Sequence, residues 1–305
     1  MPEGRTTRAA TDVAATLPNP LGGARHVYHW REGRIAYVER GPEHQDTAKR
    51  PPLVFIHSIH AAAWSAEWRR NVPIFAQQYR CIAPDLLGFG ASDRPSIRYT
   101  ASLYLDLLRD FLRDVVREPA VLIGSSLGAT YAIAIAAAHP ELVAGVTAVG
   151  PAGVSRLVHP GGTANALVER LFRTPRVGRA LFSALVSRPS IRFFLKDIYA
   201  DRTAMDEETT NLFYVSANQP NARFAPAAFV GMQLNCDIRG ALPAVRCPLL
   251  LAWGSAARQT PATEAEPMRT LAPHATFAPI PGGDLPHDER PEPFNTALNQ
   301  FLQQL

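Results

Sequence analysis

A five-residue turn with the sequence GSSLG, Gly124–Gly128, constrains this chain more than any other feature. It directly follows the apolar run 120–123 and directly precedes the alanine-rich stretch 129–138. A strand that turns into a helix within about two residues needs small neighbours, and it displays the residue at the apex of the turn. The pattern therefore predicts a nucleophile elbow, with the hydroxyl of Ser126 exposed above the end of a strand.

Apolar runs typical of buried strands alternate along the chain with amphipathic segments typical of helices. The predicted strands are 26–30, 34–39, 53–57, 81–84, 120–123, 143–149, 248–253 and 276–280, and the predicted helices are 64–78, 102–116, 129–138 and 293–305. The first two strands should form an antiparallel pair around Gly33. The remaining alternation predicts an α/β fold with a mostly parallel sheet of about eight strands and helices on both faces.

The alternation stops between residues 152 and 234, where short, arginine-studded amphipathic segments occur without strands. This stretch is predicted to be a helical cap over the strand ends, and segments 25–151 and 235–305 are predicted to form the core. Because ligands in parallel sheets bind at the carboxyl ends of the strands, cap and elbow should enclose one pocket. Residues 1–24 are predicted to be a flexible N-terminal segment.

Composition limits the classes of partner. The chain has 305 residues, 47% of them hydrophobic, which is enough for a large core. The formal net charge is +4, but the basic residues are scattered, so no nucleic-acid surface is expected. No apolar run is long enough for a membrane span, and the N-terminus does not resemble a signal peptide, so a soluble cytoplasmic protein is the expectation.

The three cysteines, Cys81, Cys236 and Cys247, lack metal-binding spacing. Their odd number favours free thiols in a reducing compartment over a disulfide framework. Neither a metal ion nor an organic cofactor is expected.

Several motifs in a fixed order resemble one known superfamily. They are VFIH at 54–57, APDLLGFGASDRP at 83–95, the GSSLG turn and ERPEPF at 289–294. Over about residues 25–305 the chain resembles the α/β-hydrolase superfamily, and within it the cap-bearing group of small-molecule esterases, carbon–carbon hydrolases and haloperoxidase-like proteins. The resemblance implies the fold more firmly than the substrate.

The resemblance also implies an oxyanion hole. In the superfamily, the loop after the third strand supplies one backbone N–H and the residue after the nucleophile supplies the other. Here these donors are the amides of Ile59 and Leu127. Ser58 stands where a glycine is usual, and its hydroxyl is expected to line the pocket, as is that of Ser125.

The proton-carrying positions depart from the superfamily pattern. Asp284 stands at the position of the usual histidine and Ala257 at that of the usual acid. An aspartate is about 2.6 pKa units less basic than a histidine. The residue that carries the proton is therefore left open among Asp284, His287 and His60, of which His287 follows the histidine position by three residues.

Three hypotheses remain open. The first is a serine-type hydrolase of a small hydrophobic ester or thioester, with Ser126 as nucleophile and an atypical proton relay. The second is a lyase or cyclase of a biosynthetic pathway, in which the oxyanion hole binds an enolate or carboxylate. The third is a noncatalytic protein that binds a hydrophobic ligand. The sequence indicates no oligomeric state.

Overall fold

The computed structural model describes residues 17–42 and 50–305. The strands of this part are β1 (Ala24–Trp30), β2 (Gly33–Arg40), β3 (Leu53–Ile56), β4 (Cys81–Pro84), β5 (Ala120–Ser125), β6 (Val143–Val149), β7 (Leu249–Gly254) and β8 (Thr276–Ile280). They form one sheet in the order β1-β2-β4-β3-β5-β6-β7-β8. The pairs β1/β2 and β2/β4 are antiparallel and the other five pairs are parallel. The predicted eight-stranded, mostly parallel sheet is confirmed.

Helices cover both faces of this sheet. In residues 17–42 and 50–305, the α-helices are α1 (Val72–Phe75), α2 (Ala101–Phe111), α3 (Leu127–Ala138), α4 (Thr163–Arg173), α5 (Val177–Leu185), α6 (Arg188–Ile198), α7 (Glu207–Ala217), α8 (Phe224–Val230), α9 (Ala265–Leu271), α10 (Pro286–Glu289) and α11 (Pro291–Leu302). A π-helical turn, Leu112–Val116, extends α2. None of the helices in the described residues is both long enough and apolar enough to cross a membrane.

Strand β5 lies in the middle of the sheet and is buried along its whole length. Its side chains alternate between two cores, as the period of a strand requires. Leu122 packs in a cluster with residues of α2 and α3, whereas Val121 and Ile123 pack in a second cluster with Leu298 and other residues of α11. This two-sided packing holds the end of β5, and therefore the turn after it, in a fixed position.

The predicted helix 64–78 is wrong as one continuous helix. The structure has a 3-10 turn at Ser65–Trp68 and then the short α1. Pro73 occupies the first turn of α1, where its missing N–H is tolerated, and it would break a helix that ran through it. The N–H of Ser65 donates to the carboxylate of Asp85 at 2.9 Å, which fixes the start of the 3-10 turn.

Of the predicted N-terminal segment 1–24, the structure describes residues 17–24. Leu17 and Leu21 are buried, and Arg40 donates a hydrogen bond to the carbonyl of Leu21 at 2.7 Å. Apolar burial therefore fixes residues 17–23 against the core. The rest of that prediction, residues 1–16, lies outside the described residues.

Helices α4 to α8 form one uninterrupted helical insertion, residues 163–230, between β6 and β7. The insertion has its own apolar cluster, which includes Phe182, Leu195 and Phe213 and also contains Leu285 from the loop after β8. A hydrogen bond from Arg69 to the hydroxyl of Thr209, 2.8 Å long, ties α7 to the core. These contacts fix the insertion beside the carboxyl ends of the strands.

Candidate active site

Ser126 is the residue between β5 and α3, and its backbone is strained. It has φ 52° and ψ −123°, a conformation that side-chain-bearing residues rarely adopt. The N–H of Ser126 donates to the carbonyl of Val149 at 2.8 Å, and its own carbonyl accepts from the N–H of Thr130 at 3.1 Å. These bonds to β6 and α3 hold the strained residue in place, as expected for a nucleophile elbow.

The two glycines of the turn are required by close packing. A Cβ atom on Gly124 would lie 2.6 Å from the Cα of Ala129, and one on Gly128 would overlap the carbonyl oxygen of His57. The glycine at 128 thus lets α3 approach the loop after β3. This approach brings residues 57–60 next to the turn that displays Ser126.

Ser126 opens onto a mainly apolar cavity of about 270 Å³. Loops after β3, β6, β7 and β8 and two helices of the insertion form the wall. The loop residues include Ser58, Ile59, His60, Gly150, Ala257 and Asp284, and the insertion contributes Phe194, Ile198 and Phe229. The described residues contain no group of three or more His, Cys, Asp or Glu side chains that could hold a metal ion.

The two amides expected to form an oxyanion hole flank this site. Ile59 lines the cavity, and Leu127 is the first residue of α3, directly after Ser126. In the described chain, neither N–H donates to a protein acceptor. The loop that carries Ile59 is braced by His57, whose Nε2 accepts from the N–H of Leu86 at 2.9 Å. Both amides are therefore left without a protein acceptor, although only Ile59 lines the cavity.

Asp284 lines the cavity, but its carboxylate is occupied. It accepts hydrogen bonds from the backbone N–H groups of Arg258, Gln259 and Thr260, all at 3.0 to 3.1 Å. These donors belong to the loop after β7, where Ala257 replaces the usual acid. Asp284 thus joins two loops, and no contact links it to the hydroxyl of Ser126.

His287 is fully buried and does not line the cavity that holds Ser126. Its ring stacks on Trp68, with the ring centroids 4.0 Å apart, and neither ring nitrogen has a hydrogen-bond partner. Burial, with a smaller effect of Arg69, lowers the pKa of His287 to about 3. The structure therefore does not bring this predicted base to Ser126.

His60 does line the cavity, between the rings of Phe194 and Phe213. Its Nδ1 accepts a hydrogen bond from the N–H of Ala62 at 3.2 Å, so in the neutral ring the proton is on Nε2. Burial, followed by the nearby His57, lowers the pKa of His60 to about 3. A neutral imidazole in this tautomer can donate a hydrogen bond from Nε2, but it is a poor proton acceptor.

The two serines predicted to line the pocket differ in position. Ser58 lines the cavity with Ser126, whereas Ser125 is fully buried at the end of β5 and is not part of the wall. The Ser125 hydroxyl has no hydrogen-bond partner in the structure. Ser125 lies away from the cavity because adjacent residues at the end of a strand point in opposite directions, and the next residue, Ser126, faces the cavity.

Sequence reasoning missed Glu67, a buried carboxyl group that reaches the cavity through Ser58. The Ser58 hydroxyl donates to Oε2 of Glu67 at 2.6 Å, and the Ser58 N–H donates to Oε1 at 2.7 Å. Burial raises the pKa of Glu67 to about 8, although the two bonds from Ser58 act in the opposite direction. Nε2 of His287 lies 3.9 Å from Oε1 of Glu67. In the sequence, the only indication of a buried carboxyl group was the position of Glu67 between Trp64 and Trp68 in a mostly apolar stretch.

Comparison with known proteins agrees with this geometry. A family model described as the alpha/beta hydrolase family matches residues 53–297, which include the elbow, the insertion and Asp284. The chain belongs to the alpha/beta hydrolase family. The relatives that it matches include proteins named as hydrolases and as haloalkane dehalogenases, so a hydrolase is the activity class that the relatives support.

Two relatives match short parts of the chain. The 2-hydroxy-6-oxo-6-(2'-aminophenyl)hexa-2,4-dienoic acid hydrolase of Metapseudomonas resinovorans is 35% identical over 133 residues, 41% of this chain and 46% of that protein. The 2-hydroxymuconate semialdehyde hydrolase of Pseudomonas sp. (strain CF600) is 41% identical over 107 residues, 34% of this chain and 38% of that protein. The matched part thus spans less than half of each relative.

A solved structure matches most of the chain. It is a serine hydrolase involved in carbazole degradation, with a TM-score of 0.76 and 23% sequence identity, and the match covers 93% of this chain and all of that one. At this identity the likeness establishes the fold alone.

Proposed function

We propose that the protein is a serine-type hydrolase that cleaves a small, hydrophobic ester or thioester, with Ser126 as the nucleophile. The observation that carries the proposal is the strained backbone of Ser126 at the wall of an apolar cavity. Strain of this kind costs about 1–3 kcal/mol and persists mainly where it serves a function. The hydrolase names of the matched relatives support hydrolysis as the reaction class.

In this proposal the N–H groups of Ile59 and Leu127 bind the carbonyl oxygen of the substrate. They have no protein acceptors in the described chain, so they are free to stabilise the negative charge that develops on that oxygen. Removing a single oxyanion-hole donor typically costs about 100- to 1,000-fold in rate. This part of the machinery does not depend on side-chain identity, and it is therefore compatible with the replaced histidine and acid.

The proton lost by Ser126 passes through the Ser58 hydroxyl to Glu67. Ser58 lines the same cavity as Ser126 and already donates its own proton toward Oε2 of Glu67. A carboxylate with a pKa near 8 is a much stronger base than an ordinary glutamate, and its pKa lies close to neutral pH, where general bases are most efficient. The Nε2–H of His60 serves as a hydrogen-bond donor to the substrate.

The helical insertion acts as a cap in this account. Phe194, Ile198 and Phe229 close the cavity above Ser126 with apolar surface. They favour a hydrophobic acyl group and exclude water from the reacting carbonyl, which strengthens the electrostatic contribution of the two amides.

Hydrolysis of p-nitrophenyl butyrate by wild type and three variants tests the proposal. Ser126→Ala should abolish turnover, and Glu67→Gln and Ser58→Ala should each lower kcat by about 100-fold or more. His274→Gln, on an exposed histidine far along the chain, is the control and should retain full activity. Turnover that survives in Ser126→Ala would refute the nucleophile, and unaltered kcat in Glu67→Gln would refute the proton path.

A second candidate function is a lyase or cyclase reaction in which Ser126 only binds the substrate. It is favoured by one observation, that in the part of the chain the structure describes no imidazole or carboxylate is hydrogen-bonded to Ser126. Product analysis in H₂¹⁸O separates the two, because a hydrolase incorporates the label into the acid product whereas a lyase does not.

A further inference from the structure

Arg223, in the turn before α8, is a largely buried arginine whose guanidinium stacks on Phe224 but has no carboxylate partner among the described residues. Only 8% of its surface is exposed, and its Nε has no hydrogen-bond acceptor. No carboxylate of the described residues forms an ion pair with it. Arginines that are this buried are normally paired with an anion, since an unpaired buried charge is costly.

The charged groups around Arg223 are other arginines. The Phe224 ring is contacted by two guanidinium groups, that of Arg223 at 4.3 Å and that of Arg173 at 5.2 Å from the ring centroid. Burial, and then the charges of Arg179 and Arg173, lower the pKa of Arg223. Glu169 lies 3.9 Å from Arg173, and no ion pair joins Arg223 to a carboxylate of the described residues. This region therefore carries excess positive charge.

Arg179 and Arg223 line a cavity of about 340 Å³ within the helical insertion, apart from the one that holds Ser126. The polar part of its wall is formed by Arg179, Ser183, Asn218, Gln219, Asn221 and Arg223. Asn221 has φ 62°, a left-handed conformation that turns the chain sharply just before Arg223. The chain thus changes direction two residues before Arg223, which lines the cavity.

Another part of the wall is apolar. It includes Phe182 and Val186, which also line a neighbouring apolar cavity of about 190 Å³. A ligand in the cationic cavity thus has hydrophobic surface within reach. Asn218 uses its amide N–H groups on the carbonyls of Tyr214 and Val186, and Gln219 uses one of its two on that of Val215. The donors left for an anion therefore include the arginines, the Asn221 amide and the Ser183 hydroxyl.

We propose that this cavity binds an amphiphilic organic anion, whose carboxylate or phosphate contacts Arg223 and Arg179 and whose apolar chain packs against Phe182 and Val186. A planar guanidinium can bind either anionic group through two parallel hydrogen bonds. Binding would supply the counter-charge that the protein itself lacks. The site does not depend on the reaction proposed at Ser126.

Calorimetric titration tests this site, with Ser126→Ala protein so that no ligand is turned over. The probes are octanoate, octyl phosphate, the uncharged octanol and inorganic phosphate. Octanoate and octyl phosphate should bind about tenfold or more tightly than either octanol or inorganic phosphate, and added salt should weaken them. Arg223→Gln should remove this advantage. Arg239→Gln, on an arginine already paired with Asp237 at 2.6 Å, is the matched control and should keep it.

Equal binding of octanoate and octanol, or an unchanged octanoate affinity in Arg223→Gln, would overturn the proposal. If inorganic phosphate bound as tightly as octyl phosphate, the proposed packing of an apolar chain against Phe182 and Val186 would be overturned. Ester hydrolysis by Arg223→Gln with intact Ser126 should match wild type, so failure of this site and failure of the hydrolase are separately visible.

A stability measurement provides an independent check. Because Arg223 is an unpaired buried charge in the free protein, Arg223→Met should leave the thermal midpoint unchanged or raise it. Octyl phosphate should raise the midpoint of wild type but not that of Arg223→Met. A lower midpoint in the variant without ligand, together with no ligand effect on wild type, would assign Arg223 to packing alone.

Discussion

At the scale of single residues, Ser126 lies at a strained turn on the cavity wall, and neither Asp284 nor His287 is hydrogen-bonded to it. Ser126 retains the strained conformation and the open cavity, but Asp284 binds three backbone N–H groups and His287 is buried against Trp68. The buried carboxyl that does reach the cavity is Glu67, through Ser58. In the proposed mechanism, the path of the proton therefore depends on Ser58, which stands where the superfamily usually has a glycine.

Activity should depend on pH through Glu67. A general base works in its ionised form, so kcat/KM should rise with pH up to about 8, the pKa that burial gives Glu67, and level off above it. The pH profile of p-nitrophenyl butyrate hydrolysis measures this. Glu67→Gln should lose the inflection, whereas a profile with an inflection near pH 6.5 in both proteins would point to a histidine instead.

Restoring the family residues should create a second route for the proton. In Ala257→Asp/Asp284→His, the new imidazole would lie beside the cavity with a carboxylate to orient it, and kcat/KM should rise by about tenfold or more. Asp284→His alone removes the acceptor of three N–H groups, and Ala257→Asp alone places a second carboxylate beside Asp284. Each single variant should therefore remain at or below wild type in the same assay.

At the scale of elements, the loops after β7 and β8 are held together by Asp284. Its carboxylate accepts hydrogen bonds from the backbone N–H groups of three consecutive residues in the loop after β7. The residue at this position thus fixes the shape of the cavity wall that includes Ala257 and Gln259.

Removing the Asp284 carboxylate should loosen these loops. Asp284→Ala leaves three N–H groups without their acceptor, and because the site is partly open to water the free energy of unfolding should fall by about 1 kcal/mol. Urea denaturation measures the change. The control is Asp197→Ala, an exposed carboxylate that contacts Gln259 of the same loop, and it should have almost no effect. Equal losses in the two variants would argue against the bracing role.

Elements that local pattern determines were predictable from the sequence. The apolar run before Ser126 and the small residues around it specify β5, the turn and α3 without reference to distant residues. The continuous helix 64–78 was wrong because Pro73 and the contact of Ser65 with Asp85 break it. The contact of Asp284 with residues 258–260 spans 24 to 26 positions, and nothing in either segment alone indicates it.

At the scale of the whole molecule, buried titratable groups concentrate where the insertion meets the core. The carboxylate of Asp288 binds Arg69 at 2.6 Å and accepts a hydrogen bond from Tyr199 of the insertion. Glu67 and His287 lie in the same region. The stability of the whole fold should therefore depend on pH through this region.

Acid should destabilise the protein through His287 and His60. Both have a pKa of about 3 in the folded state, below the unfolded value near 6.5, so the unfolded state binds more protons between these limits. Stability is therefore present above pH 6.5 and is lost as pH falls, by at most about 1.4 kcal/mol per pH unit for each ring. Glu67 acts oppositely, because its raised pKa removes stability as pH rises from about 4.5 to 8.

Urea denaturation of wild type and His287→Phe between pH 4 and 7 isolates one of these contributions. Phenylalanine keeps a ring against Trp68 but binds no proton, so the stability of the variant should fall less steeply with acid. The exposed His274→Gln is the control and should follow wild type. Parallel curves for wild type and His287→Phe would contradict the buried, neutral state of His287.

The most direct test of the central claim is the reaction of the Ser126 hydroxyl itself. Wild type and Ser126→Ala would be treated with a fluorophosphonate, and the modified peptide would be identified by mass spectrometry. We predict stoichiometric labelling at Ser126 in wild type, slower labelling in Glu67→Gln, and none in Ser126→Ala. Wild type that stays unlabelled, or carries the label on another residue, would contradict a nucleophilic Ser126.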